Sequence, residues 1–405
     1  MHVVVEPSDY VLRNAGDMAM QDVAVRRVAA LWPDATIHVL TDAPEELPRY
    51  APGVRPLHGR GRRSWLTRTL PPGAGLRQRL RGTWARWRGD RRAPDDEERE
   101  FVQLVSSAAL VVVSGMGGIT DVFADYAGGV LRTLDLAAQH GVATAMMGQG
   151  LGPLRDGPLR RLAAIVLPRV DLIALREARA GAPLLRALGV SPARVVTTGD
   201  DAIEVAYRLA TPDLGGDLGI NLRRSDYAGV DTALVEALAP ALARSAQRHA
   251  AMLVGLPISR VPGEEDAVTI AALRGDPGNP SDREPLALPA LLERIRRCRV
   301  VVTGSYHAGV FALASGIPVV ALARSPYYVD KFDGLADQFG DGCAVVRLDA
   351  DGVAGRLEAA IEQSWARAGD LRPALLGAAA RQIELGHAAY RRLATLVRPG
   401  PLAAR

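Results

Sequence analysis

Ala108-Ala-Leu-Val-Val-Val-Ser-Gly-Met-Gly-Gly118 and, far downstream, Val300-Val-Val-Thr-Gly-Ser-Tyr-His307 follow one plan: a short unbroken apolar run that ends in glycine and small polar residues. A run without polar alternation suits a strand buried on both faces, and such strands belong to parallel sheets covered by helices. Outward from the first, Val3–Val5, Ile37–Leu40, Val142–Met147, Leu172–Leu175 and Val195–Thr198 read as further strands. Asp17–Leu31 reads as a helix with Met18, Val25 and Val28 on its apolar face, and Thr41-Asp-Ala-Pro44 as a turn. Leu209–Gly219 interrupts the series with Pro212, Gly215, Gly216 and Gly219. The alternation then restarts: strand Leu218–Leu222, helix Thr232–His249, strand Ala251–Leu256, strand Val300–Thr303, helix His307–Ala314 with Gly316 as its cap, strand Pro318–Leu322. The expected fold class is α/β, two Rossmann-like, doubly wound domains. They would span residues 1–210 and 211–405, the second with a terminal helical segment. A short Gly/Pro hinge would join them and leave a cleft at the carboxyl ends of the strands.

Composition agrees with two globular domains. The chain has 405 residues, long for a single core, and 48% of them are hydrophobic. Cys298 and Cys343 lie far apart, with no His or Cys at metal-ligand spacing, so neither a disulfide framework nor a metal site is expected. Met1–Val5 runs into Pro7 and Asp9 without the basic and apolar regions of a secretory signal, and no stretch reaches the roughly 18 apolar residues of a bilayer span. The expected compartment is the cytoplasm. A formal charge of +4 suits anionic small molecules or a membrane surface, and no nucleic-acid motif accompanies it. Lys331 is the only lysine; every other permanent cation is arginine.

Residues 58–100 break the rhythm. Arg60, Arg62, Arg63, Arg68, Arg77, Arg79, Arg81, Arg86, Arg88, Arg91 and Arg92 alternate with Trp65, Trp84 and Trp87, and the acidic run Asp95–Glu98 follows. Two readings stand: a solvated surface arm, or a peripheral contact with the inner face of an anionic membrane or a lipid-linked substrate.

Four turns carry the candidate chemistry. Asn14-Ala-Gly-Asp17 opens the first helix, where Asn14 and Gly16 tolerate a tight turn and Asp17 caps or charge-matches the helix. Ser114–Gly118 and Gly148-Gln-Gly-Leu-Gly-Pro153 read as glycine loops after strands, with Gly117, Gly118, Gln149 and Gly150 offered to a ligand. Neither has the spacing of a dinucleotide fingerprint. His307 stands at a helix N-terminus, whose dipole disfavours an imidazolium. That makes it the candidate acid or base. Lys331, in the loop-like stretch Ser325–Phe332, offers a point charge for phosphate, and Arg223, with Arg224 as its rival, offers a fork for a carboxylate or phosphate. Glu264, Glu265 and Asp266 read as exposed surface acids.

These motifs in this order resemble the polysaccharide pyruvyl transferase family. The resemblance runs through Asn14–Asp17, Gly115–Gly118, Gly148–Pro153, Ala174-Leu-Arg-Glu177, Thr198-Gly-Asp-Asp201, Ser305–His307 and Gly316-Ile-Pro318, and covers about Asn14 to Gly340 apart from the arginine-rich stretch. It implies a GT-B-type fold and transfer of a pyruvyl group from phosphoenolpyruvate to hydroxyls of a sugar or glycan, as in exopolysaccharide or cell-envelope synthesis, with no metal or redox cofactor. His307 would do acid–base work. Arg223, Lys331, Ser305 and Tyr306 would meet the donor; Asn14, Gly16, Asp17 and the glycine loops would meet an acceptor, free or lipid-linked. Ser305 stands where many members carry Arg, and Tyr306 where Leu is common. Either Arg223, Arg324 or Lys331 supplies the charge, or the donor differs. A GT-B glycosyltransferase using a nucleotide sugar and a non-catalytic membrane-associated binding protein are the competing readings.

Overall fold

The computed structural model describes residues 1–69, 95–155, 157–263, 265–276 and 287–397. Its strands form two sheets, and every strand pair within them is parallel. The first sheet contains β1 (His2–Glu6), β2 (Thr36–Thr41), β3 (Arg55–His58), β4 (Leu110–Val113), β5 (Met116–Ile119), β6 (Ala143–Leu151), β7 (Leu172–Leu175) and β8 (Val195–Thr197). Its spatial order is β3-β2-β1-β4-β6-β7-β8, with β5 added alongside β6. The second contains β9 (Asp217–Asn221), β10 (Leu253–Gly255), β11 (Cys298–Thr303), β12 (Val319–Ala323) and β13 (Cys343–Arg347), ordered β10-β9-β11-β12-β13. In each sheet the chain winds out one way and then crosses back. The switch points lie between β1 and β4 and between β9 and β11, where open α/β sheets bind ligands.

The two quoted runs form as their composition dictates. Leu110–Val113 and Val300–Thr303 are buried along their whole length. The helix Tyr306–Ala314 after β11 is buried all round, as a helix without a polar face must be. Gly304 permits the turn between them: a Cβ there would come within 2.6 Å of Leu222 Cδ1. Gly316 ends the helix at φ +76, and the Ile317 amide reaches back to the Ala312 carbonyl.

Three expectations are corrected. Met116–Ile119 and Gly148–Leu151 are strand, not loop, because β5 supplies the partner that lets β6 continue through Gln149. Lys331 lies on the helix Pro326–Phe339, started by Ser325, whose hydroxyl accepts from the Tyr328 amide. The described ends of the arginine-rich stretch are built into the first domain. Gly59–Thr69 and Asp96–Ser107 are helices, Arg62 is buried against Glu6 and Tyr10, and Arg60, Arg63 and Arg68 pair with Glu97, Asp42 and Glu98. Arg77 to Arg92, Trp84 and Trp87 lie outside the described residues. No helix among the described residues is long and apolar enough to cross a membrane.

The helix Val353–Leu396 ties the sheets together. Leu357, Ile361, Leu371 and Leu375 pack in the core of the second sheet, whereas Ala389, Tyr390 and Leu393 pack in that of the first. Midway, Arg372 donates to the carbonyls of Thr211, Pro212, Ser315 and Gly316, so the segment read as a hinge is pinned where it leaves the first sheet. Arg372→Met should lower stability by about 3 kcal/mol, since the buried carbonyls of Ser315 and Gly316, left without this donor, each cost about 1–3 kcal/mol. An unchanged urea midpoint would show that the pin is dispensable.

Candidate active site

The turn after β1 starts the site. Asp9 accepts from the Arg13 and Asn14 amides, and the Asn14 side chain caps the helix Ala15–Leu31 by accepting from Gly16 (3.0 Å) and Asp17 (3.3 Å). Asn14 is therefore the cap and Asp17 a first-turn acid. The loop after β10 docks on this turn: the Ala15 amide donates to Ile258 O and the Arg260 amide to Arg13 O. Asp266 holds that loop. Its carboxylate accepts from the Ile258 and Ser259 amides at 2.8 Å, from Asn221 at 2.9 Å and from Arg223 Nε at 3.1 Å. The expectation of an exposed acid fails for Asp266, which is buried because four donors converge on it. Glu265 is exposed and Glu264 lies outside the described residues.

The docked turn carries Gly16 onto His307. A Cβ at Gly16 would fall 2.5 Å from the His307 Cβ and closer still to Cγ and Nδ1, so only glycine lets the first helix meet the imidazole. His307 Nε2 lies 3.7 Å from Asp200 Oδ2 and, although buried, makes no hydrogen bond among the described residues. Burial, followed by Arg176, Lys331 and Arg223, holds the imidazole well below its usual pKa. It is neutral at neutral pH, for a reason stronger than the helix dipole: water is excluded and cations surround it.

Arg176 is the residue that sequence reasoning left without a role. It follows β7 in the Ala174–Glu177 motif, is 1% exposed, and pairs with Asp200 at 3.3 Å. Its guanidinium lies 3.9 Å from the centroid of the Tyr306 ring. The glycines make room for it: a Cβ at Gly117 or Gly150 would lie 2.6–2.7 Å from its nitrogens. A cation directly after a buried strand, followed by Thr198–Asp201 at the next strand end, was the available signal. Lys331 approaches from the second domain, its ammonium 3.8 Å from the Tyr327 ring centroid and donating to the Tyr327 hydroxyl. Tyr327 donates to Gly117 O. Burial, then Arg176, pushes the Lys331 pKa well below that of a free amine. Gly117, Gly150, Arg176, Tyr327 and Lys331 line a small cavity between the domains.

The other candidates divide. Asp17 faces Arg176 and Lys331; burial and the neighbouring Asp9 push its pKa up to about 7. Arg223 is buried near His307, but its guanidinium is engaged by Asp266. Ser305 caps His307's helix without a side-chain bond; its amide donates to Thr303. Tyr306 is buried and its hydroxyl has no hydrogen-bond partner among the described residues. The Gln149 amide nitrogen donates to the Val113, Ser114 and Met147 carbonyls and braces β4 against β6, while its buried Oε1 has no partner among the described residues. Gly118 packs on Tyr126. Arg324 bonds Gly229 O at the surface and Arg224 bonds Thr232, so neither joins the cluster.

Thus a neutral histidine, two carboxyls, two arginines and a lysine from both domains converge where the two switch points meet. A family model described as polysaccharide pyruvyl transferase matches residues 14–326, most of the chain. No curated protein sequence matches it. Among solved structures it is similar to UDP-GlcNAc 2-epimerase from Neisseria meningitidis bound to UDP-GlcNAc (TM-score 0.55, 11% identity, 98% of this chain and 99% of that one). It is likewise similar to UDP-GlcNAc 2-epimerase from Methanocaldococcus jannaschii (0.55, 11%, 90% and 92%) and to a glycosyltransferase from Rickettsia africae (0.53, 11%, 98% and 97%). At such identities the likeness shows the fold alone, two Rossmann-like domains of the GT-B type. The chain belongs to the polysaccharide pyruvyl transferase family, and it is a transferase.

Proposed function

We propose that this member of the family transfers a pyruvyl group from phosphoenolpyruvate to two hydroxyls of a sugar or glycan, giving a cyclic ketal and phosphate. The observation that carries the reading is the cluster of basic side chains around a neutral histidine: Arg176 and Lys331 at the cavity, with Arg223 near His307, where a bound anion would favour the ammonium form of Lys331. Phosphoenolpyruvate brings a carboxylate and a phosphate on adjacent atoms, and two cations from opposite walls suit both. Arg176 would supply the charge that Ser305 lacks, since it lines the cavity and its guanidinium lies against the ring of the adjacent Tyr306.

In the reaction C3 of the donor gains a proton, C2 becomes oxocarbenium-like, and a sugar oxygen bonds to C2 while losing its proton. The C2–O bond to phosphate then breaks, and the second hydroxyl oxygen takes its place. The two hydroxyl protons balance: one ends on C3, the other leaves with phosphate. His307, neutral and unbonded at Nε2, takes the hydroxyl proton as general base, with Asp200 close enough to steady the imidazolium. Arg176 and Lys331 neutralise the phosphate as it departs. We assign the acceptor to precursors of exopolysaccharide or cell-envelope glycans, met in the cytoplasm or at the membrane's inner face.

Thermal unfolding tests the donor. Phosphoenolpyruvate at about 100 times its Kd should stabilise the protein by about 2.7 kcal/mol, and Lys331→Met should remove most of that protection. Protection by a nucleotide sugar and none by phosphoenolpyruvate would overturn the reading in favour of a glycosyltransferase.

A further inference from the structure

The first domain meets His307 at two points. Gly16, at the start of the helix Ala15–Leu31, abuts its ring, and Asp200, in the turn after β8, lies 3.7 Å from Nε2. The imidazole itself belongs to the second domain, and no hydrogen bond among the described residues fixes Nε2. How the ring stands against these two groups is therefore set by how firmly the first domain holds them.

One buried network holds both. Asp201 follows Asp200 directly, and its carboxylate accepts from Arg27 Nη1 at 2.9 Å and from the Tyr390 hydroxyl at 2.8 Å. Arg27 lies about three turns along the helix that begins at Gly16, and its Nε donates to Glu204 at 3.0 Å. The Arg27–Asp201 pair thus ties the helix bearing Gly16 to the turn bearing Asp200. All four side chains are buried, where a charge parted from its partner is costly, so the arrangement has little freedom. The third member is the helix Val353–Leu396. Gln382, Gly386 and Tyr390 follow one another at intervals of four residues and so share one stripe of it. Each meets a different part of the network. Gly199, at φ +90, leaves no room for a Cβ beside the Gln382 side chain, and a Cβ at Gly386 would fall 2.7 Å from Arg27 Nη1. Tyr390 bonds Asp201 and carries the Arg27 guanidinium over its ring, 5.0 Å from the centroid.

We propose that Tyr390 is a positioning residue: with Arg27 it fixes Asp201, and through that residue it holds the neighbouring Asp200 at its place beside His307 and Arg176. Neither Tyr390 nor Asp201 lines the cavity. Asp200 has only local and catalytic-side partners of its own, the Ala202 amide at 2.9 Å and Arg176 at 3.3 Å, so the turn that carries it must be secured through Asp201. A helix that begins against the second sheet therefore sets, from outside the cavity, the geometry of a carboxylate facing the imidazole. This rests on His307 being the reacting base, but the placement is a property of the free protein and does not depend on which donor is used.

Histidine ring NMR on the ligand-free protein tests this. The chain has seven histidines, and the resonance missing from His307→Ala is that of His307. Asp200→Asn should shift it, because the change removes the charge 3.7 Å from Nε2. Tyr390→Phe keeps the ring and removes only the hydroxyl; it should shift the resonance in the same direction and less far, as Asp200 loosens. Adding Tyr390→Phe to Asp200→Asn should shift it no further, since the tyrosine acts through that carboxylate. Leu393→Ala, in the apolar core of the first sheet on the same helix, should lower Tm at least as much as Tyr390→Phe and leave the resonance in place. A resonance unmoved by Tyr390→Phe overturns the proposal. So do additive shifts in the double variant, or an equal shift in Leu393→Ala, which would make the helix a general support. Failure of the wild type to bind phosphoenolpyruvate would overturn the donor reading alone.

Discussion

Arg176→Met should destabilise the protein by about 3–5 kcal/mol and abolish phosphoenolpyruvate binding together. The size follows from what remains after the change: Asp200, 3% exposed, keeps its charge in a dry site with its principal cation gone, and breaking a buried pair from one side costs about that much. Methionine fills the volume between Gly117 and Gly150 but cannot neutralise the carboxylate. The loss should depend on pH. Burial already raises the Asp200 pKa and Arg176 opposes that rise. Without Arg176 the folded-state value climbs further above the unfolded one. A raised carboxyl contributes stability that is fully present below its unfolded pKa and is lost as pH rises through its folded pKa. The gap between wild type and variant should therefore be smallest near the unfolded carboxyl pKa of about 4 and widen as pH rises through the raised wild-type value. Urea unfolding across that range checks it. A gap that stays constant would mean that Arg176 acts by packing on Tyr306, not by charge.

What sequence could and could not disclose divides along the same line. Strands such as Leu110–Val113 and Val300–Val302 are legible because burial on both faces leaves a local mark, and observed strand ends fall within a residue or two of the expected ones for most elements. Gly148–Leu151 departs because its pairing with β5 is a tertiary event, and the strands Arg55–His58, Met116–Ile119 and Cys343–Arg347 were not anticipated at all. His307 at the start of its helix was legible too. Buried charges were not. Arg62 meets Glu6, Arg223 meets Asp266 and Arg27 meets Asp201 and Glu204 across long separations. A window of neighbouring residues sees only a charge and assigns it to the surface. Arg62 was read with the basic arm and Asp266 with exposed acids for this reason. Composition also hides Val353–Leu396, whose two ends serve different cores; its sequence shows an apolar stripe but not which sheet lies beneath.

The glycine of the first motif allows the sharpest test, because a substitution there should have opposite consequences in two backgrounds. Gly16→Ala in the wild type places a methyl where the imidazole stands, against Cβ and Cγ, which the helix Tyr306–Ala314 fixes and no small rotation can withdraw. Either His307 leaves its position or the helix Ala15–Leu31 retreats. Displacing a reacting group by about 1 Å can lower a rate about 100-fold, so pyruvyl transfer should fall by at least that factor. Stability should drop by about 1–3 kcal/mol, as in other overpacked cores. In His307→Ala the space is vacant, and the added methyl meets no imidazole. Alanine favours a helix over glycine by about 1 kcal/mol, so Gly16→Ala should then be neutral or stabilising. The reversal is the diagnostic quantity: a double-mutant cycle measures the coupling of the two sites whatever each change does alone. If Gly16→Ala destabilises both backgrounds equally, the glycine is needed for the turn itself. If the sign reverses, it is there to let one domain lay its first helix against the His307 imidazole of the other.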